Sequence, residues 1–160
     1  MLFVPPSMPL MIPEAFAIQD EGDFILEYGP AEGYTEFESW IKSTQYFETQ
    51  VAWLNEKLRL PNDVIVIVGV CGMVNAFYQY NPDTNKSFIV YCYEFMDDNW
   101  MKMDFLRLHG HEFAPDIFCN PAESYCATTA ERTLNVIDSV FYHELGHAVI
   151  HLYDLPVPGA

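Results

Sequence analysis

Five consecutive residues carry a recognisable chemistry: His143-Glu144-Leu145-Gly146-His147. On a helix, two histidines four residues apart lie about 40° apart in angle and about 6 Å apart along the axis. Their imidazoles can converge on one Zn²⁺, with Zn–N of about 2.0–2.1 Å. Glu144 follows His143 directly, so its carboxylate falls beside the metal rather than on it. There it can act as a general base toward metal-bound water, whose pKa zinc lowers to about 7. The pattern is moderately specific alone, and its placement in mid-helix between apolar residues strengthens it.

A catalytic zinc needs a third protein ligand, and the residues that follow do not supply an obvious one. The extended metzincin pattern requires Gly at 150 and His at 153, where this chain has Ile150 and Tyr153. His151 is about 12 Å of helix beyond His143, too far to share the metal, and is expected to find a partner at the helix end. Asp154 is the nearest following carboxylate, at the helix end rather than opposite the metal. His109-Gly110-His111-Glu112 forms a second cluster, in which His109 and His111 are candidates for a replacement ligand or an oxyanion-stabilising group. Glu94, Glu123 and Asp138 have no distinguishing context, and a solvated surface role is the expectation for each.

The elements that must position these groups follow from periodicity. Thr35 with Glu38 has capping-box spacing, and Phe37, Trp40, Ile41, Phe47, Val51, Leu54 and Leu58 recur at helical intervals. They predict one amphipathic helix of about six turns, ended by Pro61. Val64 to Val70 is β-branched and reads as a buried strand. Met73–Tyr80 and Ser87–Phe95 flank the polar turn Asn81-Pro82-Asp83-Thr84-Asn85-Lys86, which predicts a hairpin. A short helix is expected from Asp97 or Asp98 toward Leu108, then a long loop over 109–127. Thr128 with Glu131 opens the last helix, whose apolar face is Leu134, Ile137, Phe141, Leu145 and Val149. The layout is α+β: a long N-terminal helix, a small β-sheet with a hairpin, and the HExxH helix.

Composition narrows the partners. Lys and Arg number 7 against 23 Asp and Glu, a formal charge of −16. That balance argues against a nucleic-acid backbone or an anionic membrane surface as partner, since both need clustered cations. It disfavours acidic substrates and favours a neutral or basic peptide. With 51% hydrophobic and 16% aromatic residues the chain is too apolar for a disordered acidic tail, and no apolar run is long enough for a membrane span. The length suits one domain over residues 18–160. Residues 1–17 are apolar and broken by Pro5, Pro6, Pro9 and Pro13, and read as a signal-peptide remnant or a disordered arm. There is no C-x-x-C pair. Cys71 with Cys92, on successive strand regions, and Cys119 with Cys126, around a short loop, make two local disulfides the simplest arrangement, in keeping with export. Four buried thiols in a cytosolic protein stay open as the alternative.

Three blocks together resemble a known family. Val70-Cys71-Gly72 with Asn75-Ala76-Phe77-Tyr78, then Ile89 to Glu94, then Phe141 to Ala148 with Asp154-Leu155-Pro156-Val157 and Gly159, are similar to a group of mostly secreted bacterial metallopeptidases first catalogued as a domain of unknown function. That family resembles the gluzincins, the thermolysin-like zinc peptidases. The resemblance implies a zincin-like fold, zinc held by His143 and His147, Glu144 as general base, and Asn75-Ala76 as an edge strand that holds the peptide substrate. It also implies a third ligand on a helix after the Leu-Pro-Val-x-Gly segment, beyond Ala160. The run His143 to His151 is similar as well to the helix of cytosolic regulatory peptidases that cleave phage-type repressors. A non-catalytic, zinc-binding interaction module on the same scaffold is the third expectation.

Overall fold

The first strand of the molecule lies in a stretch where periodicity gives no signal. In a computed structural model that describes residues 21–110 and 127–157, with the side chains of 106–110 left aside, Phe24–Tyr28 forms β1. It pairs in parallel with β2, Val64–Gly69, setting Phe24 opposite Val64 and Tyr28 opposite Val68. The chain continues through β3, Ala76–Asn81, and β4, Lys86–Cys92, which form the expected antiparallel hairpin. β4 then lies parallel to β2, so the four-stranded mixed sheet has the order β1-β2-β4-β3 and leaves β3 as an edge. Asn81 closes the hairpin turn by accepting the N–H groups of Asp83 and Thr84, and Asn85 takes the left-handed conformation Asn tolerates.

Between β1 and β2 the expected six-turn helix is two helices, α1 over Thr35–Thr44 and α2 over Tyr46–Lys57. Gln45, with φ 53°, breaks it. The cause is local: the hydroxyls of Ser43 and Thr44 bond back to the carbonyls of Trp40 and Ile41, which weakens the helical ladder. The Thr35 cap is corrected too. Tyr34 precedes the helix with no side-chain cap, and Glu38 pairs with Lys42 instead. α3 spans Tyr93–Gly110 and starts as β4 ends, earlier than the aromatic run suggests. α4, Ala127–Leu152, places Thr128 inside its first turn.

The sheet buries alternate residues. Val64, Val66, Val68, Ile89 and Tyr91 are fully buried, while Ile65, Ile67, Phe88 and Val90 stay half-exposed. Phe47 and Leu54 of α2 and Ile137, Phe141, Leu145 and Ala148 of α4 complete the core on the buried face. The Tyr91 hydroxyl donates to the Ile137 carbonyl and ties α4 to the sheet. Asp138, expected on a solvated surface, instead accepts the Tyr46 hydroxyl at 2.8 Å and the Gln50 amide, joining α2 to α4. The fold is α+β, with four helices and a small mixed sheet among the described residues. None of these helices is long and apolar enough to cross a membrane. The arm at 1–17, the Cys119–Cys126 pair, Glu123 and His111 lie outside the described residues, as does the side chain of His109.

Candidate active site

α4 buries Phe141, Glu144, Leu145 and Ala148 and leaves His143 and His147 exposed, one turn apart. The helical spacing brings their Nε2 atoms to 3.2 Å, with ring centroids 4.8 Å apart. Glu144, beside His143 in sequence, is buried against the sheet. It is only 8% exposed, and its Oε2 accepts the main-chain N–H of Tyr78 on β3 at 2.8 Å. Asn75 and Ala76 lie at the start of that same strand, with the Asn75 carbonyl accepting the Cys92 N–H. Glu144 thus meets β3 two residues on from Ala76, and the histidine pair flanks Glu144 on the same helix. Tyr78 is the participant that sequence reasoning missed. Its contribution is an amide, which carries no residue-type signal, and its partner is 66 residues away.

His151 stands apart from the pair, packed against Tyr80 at a centroid distance of 4.1 Å and Tyr78 at 6.0 Å. Asp154 follows the helix with φ 48° and an N–H bonded to the His151 carbonyl. Among the described residues, no His, Cys, Asp or Glu joins His143 and His147 in a three-donor cluster within 4.8 Å.

Three such donors do meet elsewhere: Cys71, Cys92 and Glu94. They are poorly suited to a metal, because the two sulfurs are joined in a disulfide with Cα atoms 5.3 Å apart. Glu94 is not the solvated surface residue expected. Its carboxylate accepts the N–H groups of Cys71 and Gly72, the latter at 2.6 Å. Burial pushes its pKa up, but its own N–H and those of Cys71 and Gly72 outweigh this and hold it below the ordinary value. Disulfide and carboxylate together clasp the loop that leads from β2 into the edge strand. Val70, Met73 and Val74 of that loop remain exposed.

Residues 28–160 match a family described as "Putative metallopeptidase", DUF4344. The chain belongs to that family. No curated protein and no solved structure matches it. Membership suggests a hydrolase acting on peptides and implies a metal cofactor. The donor chemistry of α4 fits that implication in part. Two nitrogens bound at about 2.05 Å to one tetrahedral ion stand about 3.3 Å apart, close to the His143–His147 separation. The fit covers two of the three protein ligands that a catalytic zinc takes.

Proposed function

We propose that the chain is a zinc-dependent peptidase domain of zincin-like, gluzincin-related fold. In this reading His143 and His147 hold the ion, Glu144 is the general base, and the peptide lies along the edge strand at Asn75-Ala76. The observation that carries the reading is the convergence of the two Nε2 atoms at 3.2 Å with the intervening Glu144 held on the sheet edge. A zinc ion bound there would polarise the scissile carbonyl and acidify a water. The chain's own part is binding, orientation and proton transfer. An extended peptide can add backbone hydrogen bonds to β3, the edge strand of the described sheet, as strand-addition binding does. Glu144 takes a proton from water and passes it to the departing amine, the usual double duty of a general base. Its burial keeps the carboxylate away from bulk solvent and in one orientation.

The third ligand is to be sought among side chains outside those described, where those of His109 and His111 are candidates for a ligand or an oxyanion donor. The net charge of −16 supports a neutral or basic peptide as substrate. The Cys71–Cys92 disulfide supports an exported, extracytoplasmic protein.

The test combines metal content and cleavage on one sample. The wild-type protein is expected to bind about one zinc per chain. Glu144→Gln should keep the metal and lose about 10²–10⁴-fold in turnover, the range for a removed general base. His143→Ala should lose the metal as well as activity. Retained cleavage in Glu144→Gln refutes the mechanism. Stoichiometric zinc with no cleavage of any peptide supports the interaction module instead.

A further inference from the structure

We propose that the main-chain N–H of Tyr78 is the positioning donor for Glu144, so that the edge strand both aims the base and interrupts its own peptide-binding rail at that residue. The inference rests on the peptidase reading above. It starts from the alternation of an antiparallel ladder. The bond from the Cys92 N–H to the Asn75 carbonyl sets the parity, so residues 75, 77, 79 and 81 turn their backbone groups toward β4. Ala76, Tyr78 and Tyr80 turn theirs away from the sheet, and at Tyr78 the outward N–H meets the Glu144 carboxylate at 2.8 Å.

A carboxylate as buried as Glu144 needs a donor, and a backbone amide is an unusually well-fixed one. It has no side-chain rotamers to lose, and the strand that carries it is held to β4 by main chain and side chain alike. The hairpin ladder holds it to β4, and the Tyr78 hydroxyl is 3.0 Å from the hydroxyl of the buried Ser87. The base is therefore located by the sheet and not only by its own helix. The same contact limits docking. A peptide adding to β3 would have to reach the outward backbone groups of Ala76, which is only 7% exposed, and the next outward N–H is already engaged. Productive pairing then runs through Ala76 and stops short of the Tyr78 amide.

The decisive variant replaces the Tyr78 N–H with an ester oxygen, by amber suppression with the α-hydroxy analogue of tyrosine. This N–H faces outward, so the β4 ladder loses no donor; the Phe77 carbonyl becomes a weaker ester acceptor toward β4, and circular dichroism checks that the variant keeps its fold. The expected result is a fall in kcat of about ten- to a hundred-fold, the range for losing a hydrogen bond to a charged group, with KM unchanged. Ala76→Pro removes the neighbouring outward N–H at the first residue of the strand, where proline is allowed; because Ala76 packs in the core, circular dichroism checks that the variant folds. It should raise KM and spare kcat. Tyr78→Phe keeps the amide and loses only the Ser87 contact, so it should lose less kcat than the ester. An ester variant with unchanged kcat, or one that raises KM as Ala76→Pro does, overturns the proposal.

A readout without turnover accompanies these. Hydrogen exchange at the Tyr78 amide should be about tenfold or more faster in Glu144→Ala than in the wild type, because the variant removes its acceptor. Equal exchange rates overturn the proposal. If the wild-type protein cleaves nothing, the peptidase reading falls and the positioning role with it. If Glu144→Gln abolishes cleavage but the ester leaves kcat intact, the positioning role alone falls.

Discussion

Removing the Cys71–Cys92 bridge should cost this protein a large share of its stability. The bridge joins the segment just after β2 to the last residue of β4, with a sequence separation of 21. The closed loop contains all of β3 and the hairpin turn. In the chain-entropy account, a loop of about 22 residues restricts the unfolded ensemble by about 11 cal/mol/K, or about 3 kcal/mol at room temperature. At about 2.1 cal/mol/K of unfolding entropy per residue, a chain of this length unfolds with about 0.34 kcal/mol/K, so the midpoint should drop by about 9–10 °C. The perturbation is the double variant Cys71→Ala/Cys92→Ala, melted without reductant and followed by circular dichroism and calorimetry. Wild-type protein melted with reductant is the companion sample. Because Cys92 is fully buried, alanine there avoids leaving a new polar group inside. A midpoint within about 3 °C of wild type, with the wild-type bridge verified by mass, refutes the reasoning, since it means the denatured chain gains almost no freedom when the loop opens.

Glu94 should make stability acid-sensitive. Its carboxyl has a folded pKa below the ordinary value of 4.5, so the stability it contributes is present above that value and is lost as pH falls through the lower folded one. Glu94→Gln should therefore be less stable than wild type at neutral pH, with the difference shrinking as both are acidified below pH 4.5. Urea unfolding across that range checks this, and parallel pH profiles for the two proteins refute it. Gly22→Ala should also destabilise. A Cβ there would lie 2.1 Å from the Asn62 carbonyl carbon and 2.4 Å from its oxygen, and the Gly22–Leu60 bridge would have to shift to make room. The cost should be about 1–3 kcal/mol, as for overpacking elsewhere. An unchanged urea midpoint shows that the bridge yields easily.

What could be read in advance is what adjacent residues decide among themselves. The β-branched run of β2, the Asn-rich turn of the hairpin and the apolar stripe of α4 each state their conformation within a few residues. The elements that escaped depend on distant partners. β1 has five residues and no clean alternation, and becomes a strand because Val64 to Val68, 40 positions on, offers it an edge. Glu94 looks like any acidic residue until the β2–β3 loop presents the N–H groups of Cys71 and Gly72 to it. Asp138 looks exposed until Tyr46 and Gln50 arrive from α2. The break at Gln45 was local and readable in principle. Ser43 and Thr44 are side chains that compete for helix carbonyls, but the apolar spacing across them was regular enough to mask it.

The candidate site divides along the same line. The approach of the His143 and His147 nitrogens is a property of one helix, since i and i+4 side chains meet wherever such a helix forms. The direction of Glu144 is not. One residue on from His143, it is rotated about 100° around the axis, and what it meets there is set by the strand packed against that side. In this fold that is the edge amide of Tyr78, supplied by a hairpin that the Cys71–Cys92 bridge and Glu94 hold at its root. Two classes of damage should then be separable. Changes on α4 at either histidine remove the nitrogen pair and leave β3 where it is. Changes that loosen the clasp leave the nitrogens converged but cost Glu144 its donor, so under the proposed peptidase reading metal binding should outlast turnover. The clasp and Glu144 thus belong to one mechanical unit, although nothing in the sequence between residues 71 and 144 announces the connection.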